Sequence, residues 1–149
     1  MWIKSTDEEN NFCYDGKLKE GKMDTLLVMN RIMGRYKSIL KNEEIDLTFN
    51  ETLAIEAINR RVCTKGCIKE ILLKDKSYTS KMVDSLLRRG YLEKKKNTYI
   101  LTKAGIEVYE KSNEIYSFIR EEYSRDIDEK ELNNIVMSLN SIEKALKSY

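Results

Sequence analysis

No proline occurs in this 149-residue chain, and glycine occurs only six times. Proline stops a helix by removing a backbone donor and clashing with the preceding turn, so its absence leaves long helical runs open. The apolar residues use that freedom. Leu26, Met29, Met33, Tyr36 and Leu40 step by three and four, as one seam of a helix over about 23–40. Leu132, Ile135, Leu139, Ile142 and Leu146 repeat the same steps near the end of the chain.

Local chemistry places the other helices. Thr48 followed by Glu51 is a capping box, opening a helix that ends near Arg60 and Arg61. VCTKG reads as a short strand broken by Gly66, and CIKEILL as about two helical turns. Asp75 or Ser77 caps a helix through Arg89, buried through Met82, Val83, Leu86 and Leu87 and stopped by Gly90. YLEKK and TYILT are two strands around a Lys96–Asn97 turn, where asparagine tolerates a left-handed backbone. A helix over about 103–123 follows, then one capped by Asp128 with Glu131 three residues on. The fold class is mainly α with a small β-hairpin, and its middle is a winged helix-turn-helix.

Composition excludes several functions. The chain has no histidine, so Ser-His and Cys-His nucleophiles are ruled out and the commonest metal ligand is missing. It offers no glycine-rich phosphate loop and no clustered carboxylate pair, so the reading is not an enzyme, with no cofactor and no metal. Cys13, Cys63 and Cys67 form no disulfide framework and read as free thiols. Cys63 and Cys67 are small buried fillers or, with Lys65 between them, thiols of lowered pKa. No apolar run is long enough for a membrane span and no apolar signal segment opens the chain, so a soluble, cytoplasmic protein is expected.

Charge is distributed unevenly. Residues 59–103 hold 13 Lys and Arg against 4 Asp and Glu, or +9, while the rest hold 14 against 21, or −7. A basic middle between acidic flanks suits a polyanion. Double-stranded DNA is the expected partner, because the second helix of a helix-turn-helix enters the major groove by its N-terminal end. SYTSK puts hydroxyls, a phenol and an ammonium there. The candidate DNA-binding residues are Lys65, Lys76, Ser77, Tyr78, Thr79, Ser80, Lys81, Lys94, Lys95 and Lys96. Lys69 and Lys74 fall on the same surface, and the hairpin lysines neutralise phosphates without reading sequence. The bland alternative is a solvated basic face. The alternative function is a winged-helix protein-interaction module, which calls for an apolar face where SYTSK is polar.

Four stretches together resemble the multiple-antibiotic-resistance regulator (MarR) family of transcription factors. They are LTFNETLAI, DKSYTSKMVDSLLRRGYLE, ILTKAG and IDEKELNNIVMSLNSIEKAL, within about residues 23–146. The resemblance implies an obligate homodimer on a pseudo-palindromic operator, often repressing a nearby operon. It implies a dimerisation region over 21–46 and 104–149 around the winged helix-turn-helix over 47–103; residues 1–20, polar with DEENN and CYDGKLKEG, read by their composition as a loose arm. By the resemblance, Ser77, Tyr78, Ser80 and Lys81 fall where the family contacts DNA. The hairpin KKKNTY lacks the family's Asp-x-Arg wing motif, and Leu73 and Lys74 fill a turn where the family usually has glycine. Many relatives bind a small-molecule effector in a cleft; Tyr36, Arg60 and Arg61 fall near it by pattern. Alternatively, Tyr36 is core and the arginines face solvent or phosphate.

Overall fold

Eight elements follow one another in the computed structural model, which describes residues 23–149. They are α1 (Asp24–Asn42), α2 (Phe49–Arg60), α3 (Lys65–Leu72), α4 (Lys76–Arg88), β1 (Leu92–Lys95), β2 (Thr98–Leu101), α5 (Lys103–Tyr123) and α6 (Glu129–Leu146). The arm expected over 1–20, with Trp2, Phe12 and Cys13, lies outside the described residues. None of the described helices is long and apolar enough to cross a membrane.

The helix boundaries follow from their caps. The Thr48 hydroxyl accepts the Glu51 amide at 3.2 Å, and the Glu51 carboxylate accepts the Thr48 amide at 2.9 Å. Asp128 and Glu131 repeat this reciprocal box at α6, at 2.8 and 3.1 Å. Each box satisfies two amide donors that a helix start leaves bare. Gly90, at φ 78°, supplies the left-handed residue just past the end of α4.

The expected strand at VCTKG is absent as a strand. What remains is one antiparallel bridge, Cys63 to Tyr99. Thr64 is extended because it caps α3, accepting the Cys67 amide at 3.1 Å, and α3 therefore starts earlier than CIKEILL. Gly66 is the second residue of that helix and breaks nothing. In the hairpin, Lys96 rather than Asn97 takes the positive φ, 56°.

Within the described chain, the division into two compact units falls between Ser112 and Asn113, inside α5. The first unit holds the core: Ala54, Ile55 and Ile58 of α2, Ile68 of α3, and Met82, Val83 and Leu86 of α4. Cys63, Leu92 and Tyr99 extend it to the hairpin. The strands pair with Leu92 opposite Leu101 and Lys94 opposite Tyr99. Gly105 lets α5 start close against the residue that opens the hairpin: a β-carbon there would run into the Tyr91 carbonyl oxygen. Outside this core, α1 exposes Leu26, Met29 and Met33. In the second unit, α6 exposes Ile135, Leu139, Ile142 and Leu146.

Candidate nucleic-acid interface

Asp75 organises the N-terminal end of α4. Its carboxylate accepts the Tyr78 amide at 2.7 Å, leaving Lys76, Ser77 and Tyr78 exposed on the first turn and Lys81 exposed on the second. The helix start adds bare amides and a partial positive charge, both suited to a phosphate. Ser80 is half-buried.

Thr79 corrects the sequence reading. It is 1% exposed, and its hydroxyl donates to the Asp75 carbonyl at 2.9 Å. It belongs to the inward face with Met82, Val83 and Leu86, and offers DNA no hydroxyl. The steps from 79 to 82 and 83, then to 86, are the same apolar spacing that marked the buried stripe.

Tyr78 is held in place from two sides. Its hydroxyl accepts the Asn50 side-chain amide at 2.9 Å, and the Lys74 ammonium sits 5.3 Å from its ring centroid. Lys65 pairs with Asp84 of α4 at 3.2 Å, an exposed pair worth roughly 0–1 kcal/mol that a phosphate can displace. Lys65, Lys69 and Lys76 line a recess of about 180 Å³ together with Gly66, Thr79 and Ser80. At the hairpin, Lys94, Lys95 and Lys96 are all exposed.

Sequence reasoning missed the tie that positions α4. Arg89, its C-cap, donates to the Glu51 carboxylate on α2 and to the Asp46 carbonyl at 2.8 Å. The Tyr91 hydroxyl donates to the Asp46 carboxylate at 2.7 Å, which raises the tyrosine's pKa. These partners are 38 and 43 residues from Arg89, beyond any local signal.

The residues expected around an effector are not brought together. Tyr36 faces Phe49 at the start of α2, with ring centroids 6.1 Å apart. Arg60 ends α2 and pairs with Glu56. Ten residues of helix lie between Phe49 and Arg60, an axial rise of about 16 Å over eleven steps. Arg61 is exposed just past α2. A cleft of about 510 Å³ opens instead along Lys37, Lys41, Phe49, Asn50, Tyr78 and Arg89. Among the described residues, no group of three or more His, Cys, Asp or Glu is placed to hold a metal.

No family model and no curated protein matches this sequence. Solved structures match it by fold. A MarR/EmrR family transcriptional regulator from Acinetobacter sp. ADP1 superposes with TM-score 0.71 at 20% identity, over 84% of this chain and 93% of that one. S. aureus MepR in its DNA complex gives 0.69 at 16% identity, over 82% and 93%. Sco5413, a MarR family regulator from Streptomyces coelicolor, gives 0.67 at 20% identity, over 84% and 92%. The chain has the winged-helix fold of MarR-family regulators.

Proposed function

We propose that this protein is a DNA-binding transcriptional regulator of the MarR family. The observation that carries the reading is the N-terminal end of α4. Lys76, Ser77, Tyr78 and Lys81 stand exposed there, while Thr79, Met82, Val83 and Leu86 hold the opposite face in the core. The same fold occurs in S. aureus MepR bound to DNA. A polar, cationic face at this position fits base edges and phosphates, and it does not fit the apolar docking face of a protein-interaction module.

The working form is a homodimer. The exposed apolar seams of α1 and α6 support this, because faces of that length need cover and a second copy provides it. Two-fold symmetry then sets the two recognition helices about 34–36 Å apart, and the operator is a pseudo-palindrome. Bound across a promoter, the dimer represses by occupying it. The hairpin lysines contribute phosphate contacts without base reading.

Selection of bound fragments from random DNA, followed by titration at several salt concentrations, tests this directly. The expected result is an enriched two-fold symmetric site. Lys81→Ala should weaken binding and reduce the salt slope by about 1 if Lys81 neutralises one phosphate. A folded dimer that enriches no sequence, or a Lys81→Ala and Tyr78→Ala double variant that binds as tightly as the parent, overturns the reading.

A further inference from the structure

Two thiols sit at the joint between α2, α3 and the hairpin. Cys63 directly precedes Thr64, the cap of α3, and Cys67 is the third residue of that helix. The cap curls the chain by drawing the Cys67 amide to the Thr64 hydroxyl. The two side chains converge as a result, with their Sγ atoms 3.4 Å apart. A disulfide needs about 2.05 Å, so closure requires a movement of about 1.4 Å. Cys63 is fully buried and Cys67 is partly exposed.

The joint also carries load. The Cys63 carbonyl accepts the Tyr99 amide at 3.1 Å, which is the bridge linking the hairpin to the helix-turn-helix. The Cys63 thiol donates to the Ala57 carbonyl of α2 at 3.6 Å.

We propose that Cys63 and Cys67 form a reversible disulfide site, closed by a peroxide-class oxidant, and that closure weakens DNA binding by disturbing this joint. The second half rests on the DNA-binding reading; the first does not. The Cys67 thiolate attacks a peroxide oxygen and becomes a sulfenic acid, releasing one water when the oxidant is hydrogen peroxide. The Cys63 sulfur attacks the sulfenic sulfur and expels hydroxide, which leaves as water with the Cys63 proton. Two thiols and one hydrogen peroxide give one disulfide and two waters. Closure removes the Cys63 donor from Ala57 and draws Cys63 toward α3. Burial and the adjacent Cys67 push the Cys63 thiol up to about 11, so the second step is slow near neutrality and accelerates as pH rises.

The test uses the full chain carrying Cys13→Ser, leaving this pair as its only cysteines. Treatment with hydrogen peroxide, read by intact mass and thiol labelling, should remove two hydrogens and both free thiols. Dithiothreitol should restore them, and Cys67→Ser should abolish the loss. Oxygen addition without loss of two hydrogens, or disulfides only between chains, overturns the site. Oxidised protein should bind its selected DNA about fivefold or more weakly than reduced protein, the low end of typical coupling between sites. Equal affinity overturns the coupling. Failure of the reduced protein to bind any DNA overturns the regulatory reading and the coupling with it, while the mass readout still decides the disulfide.

Discussion

Arg89→Met removes the guanidinium that ties the end of α4 to the start of α2. Glu51 is 7% exposed, and without Arg89 its carboxylate retains the Thr48 amide as donor. Stranding one member of a buried ion pair costs about 3–5 kcal/mol. The Arg89 side chain is 28% exposed, so water reaches the vacated place and lowers the expected loss to about 2–3 kcal/mol. Glu51→Gln keeps an acceptor for the Thr48 amide and should cost about 1–2 kcal/mol. The double variant should lose less than the two single losses combined, with a coupling of about 1–2 kcal/mol. Urea unfolding at neutral pH measures all four corners of this cycle. The DNA affinity of Arg89→Met should fall with its salt slope unchanged, because the Arg89 guanidinium is engaged by Glu51 and Asp46 and acts through the pose of α4. An Arg89→Met protein within about 0.5 kcal/mol of the parent, or strict additivity in the double variant, refutes the tie.

Three more expectations follow from the backbone and the buried acids. Leu73 ends α3 at φ 51°, ψ 48° with its residue 81% exposed, so Leu73→Gly relieves the left-handed penalty at little loss of packing. It should raise stability by about 0.5–1 kcal/mol in thermal unfolding, after glycine's extra freedom in the unfolded chain is offset. Gly105→Ala drives a β-carbon onto the Tyr91 carbonyl, which also accepts the Thr102 amide. It should cost about 2–3 kcal/mol and lower the melting temperature, and an unchanged melting temperature counts against the close approach. Cys63, Tyr91 and Tyr109 all have raised pKa values in the folded protein. For Cys63, burial leads the causes and holds its proton from 9.0 up to about 11. The folded state therefore keeps that proton when the unfolded chain has lost it. The stabilisation is complete below about pH 9 and is lost as pH rises through about 11. Cys63→Ala should flatten the fall in stability between those values, measured by urea unfolding against pH.

Much of the fold was legible because its signals are local. Thr48 with Glu51 and Asp128 with Glu131 announce helix starts within four residues, and Gly90 marks a stop by the backbone angle it alone takes easily. The VCTKG reading failed because an N-cap residue is extended and resembles a strand in composition. Thr79 was misplaced because residue type was weighed above helical phase, although its spacing from Met82, Val83 and Leu86 pointed inward. Tyr36 and Arg60 were joined by pattern, yet nearly the whole length of α2 stands between them. The Schellman bonds around Leu73, Lys74 to Lys69 at 3.1 Å and Leu73 to Glu70 at 3.3 Å, show that the turn keeps a left-handed residue even without glycine.

By itself, the sequence determined where helices begin and end, which stripe of each is apolar, and where positive charge concentrates, because each depends on neighbours within a turn or two. Only the tertiary structure decided that Asn50 holds Tyr78, that Arg89 reaches Glu51 and Asp46, and that Cys63 meets both Cys67 and the hairpin at one joint. Most of those partners lie 28 to 43 residues apart, and such contacts exist only once the core has packed and fixed the helices against one another.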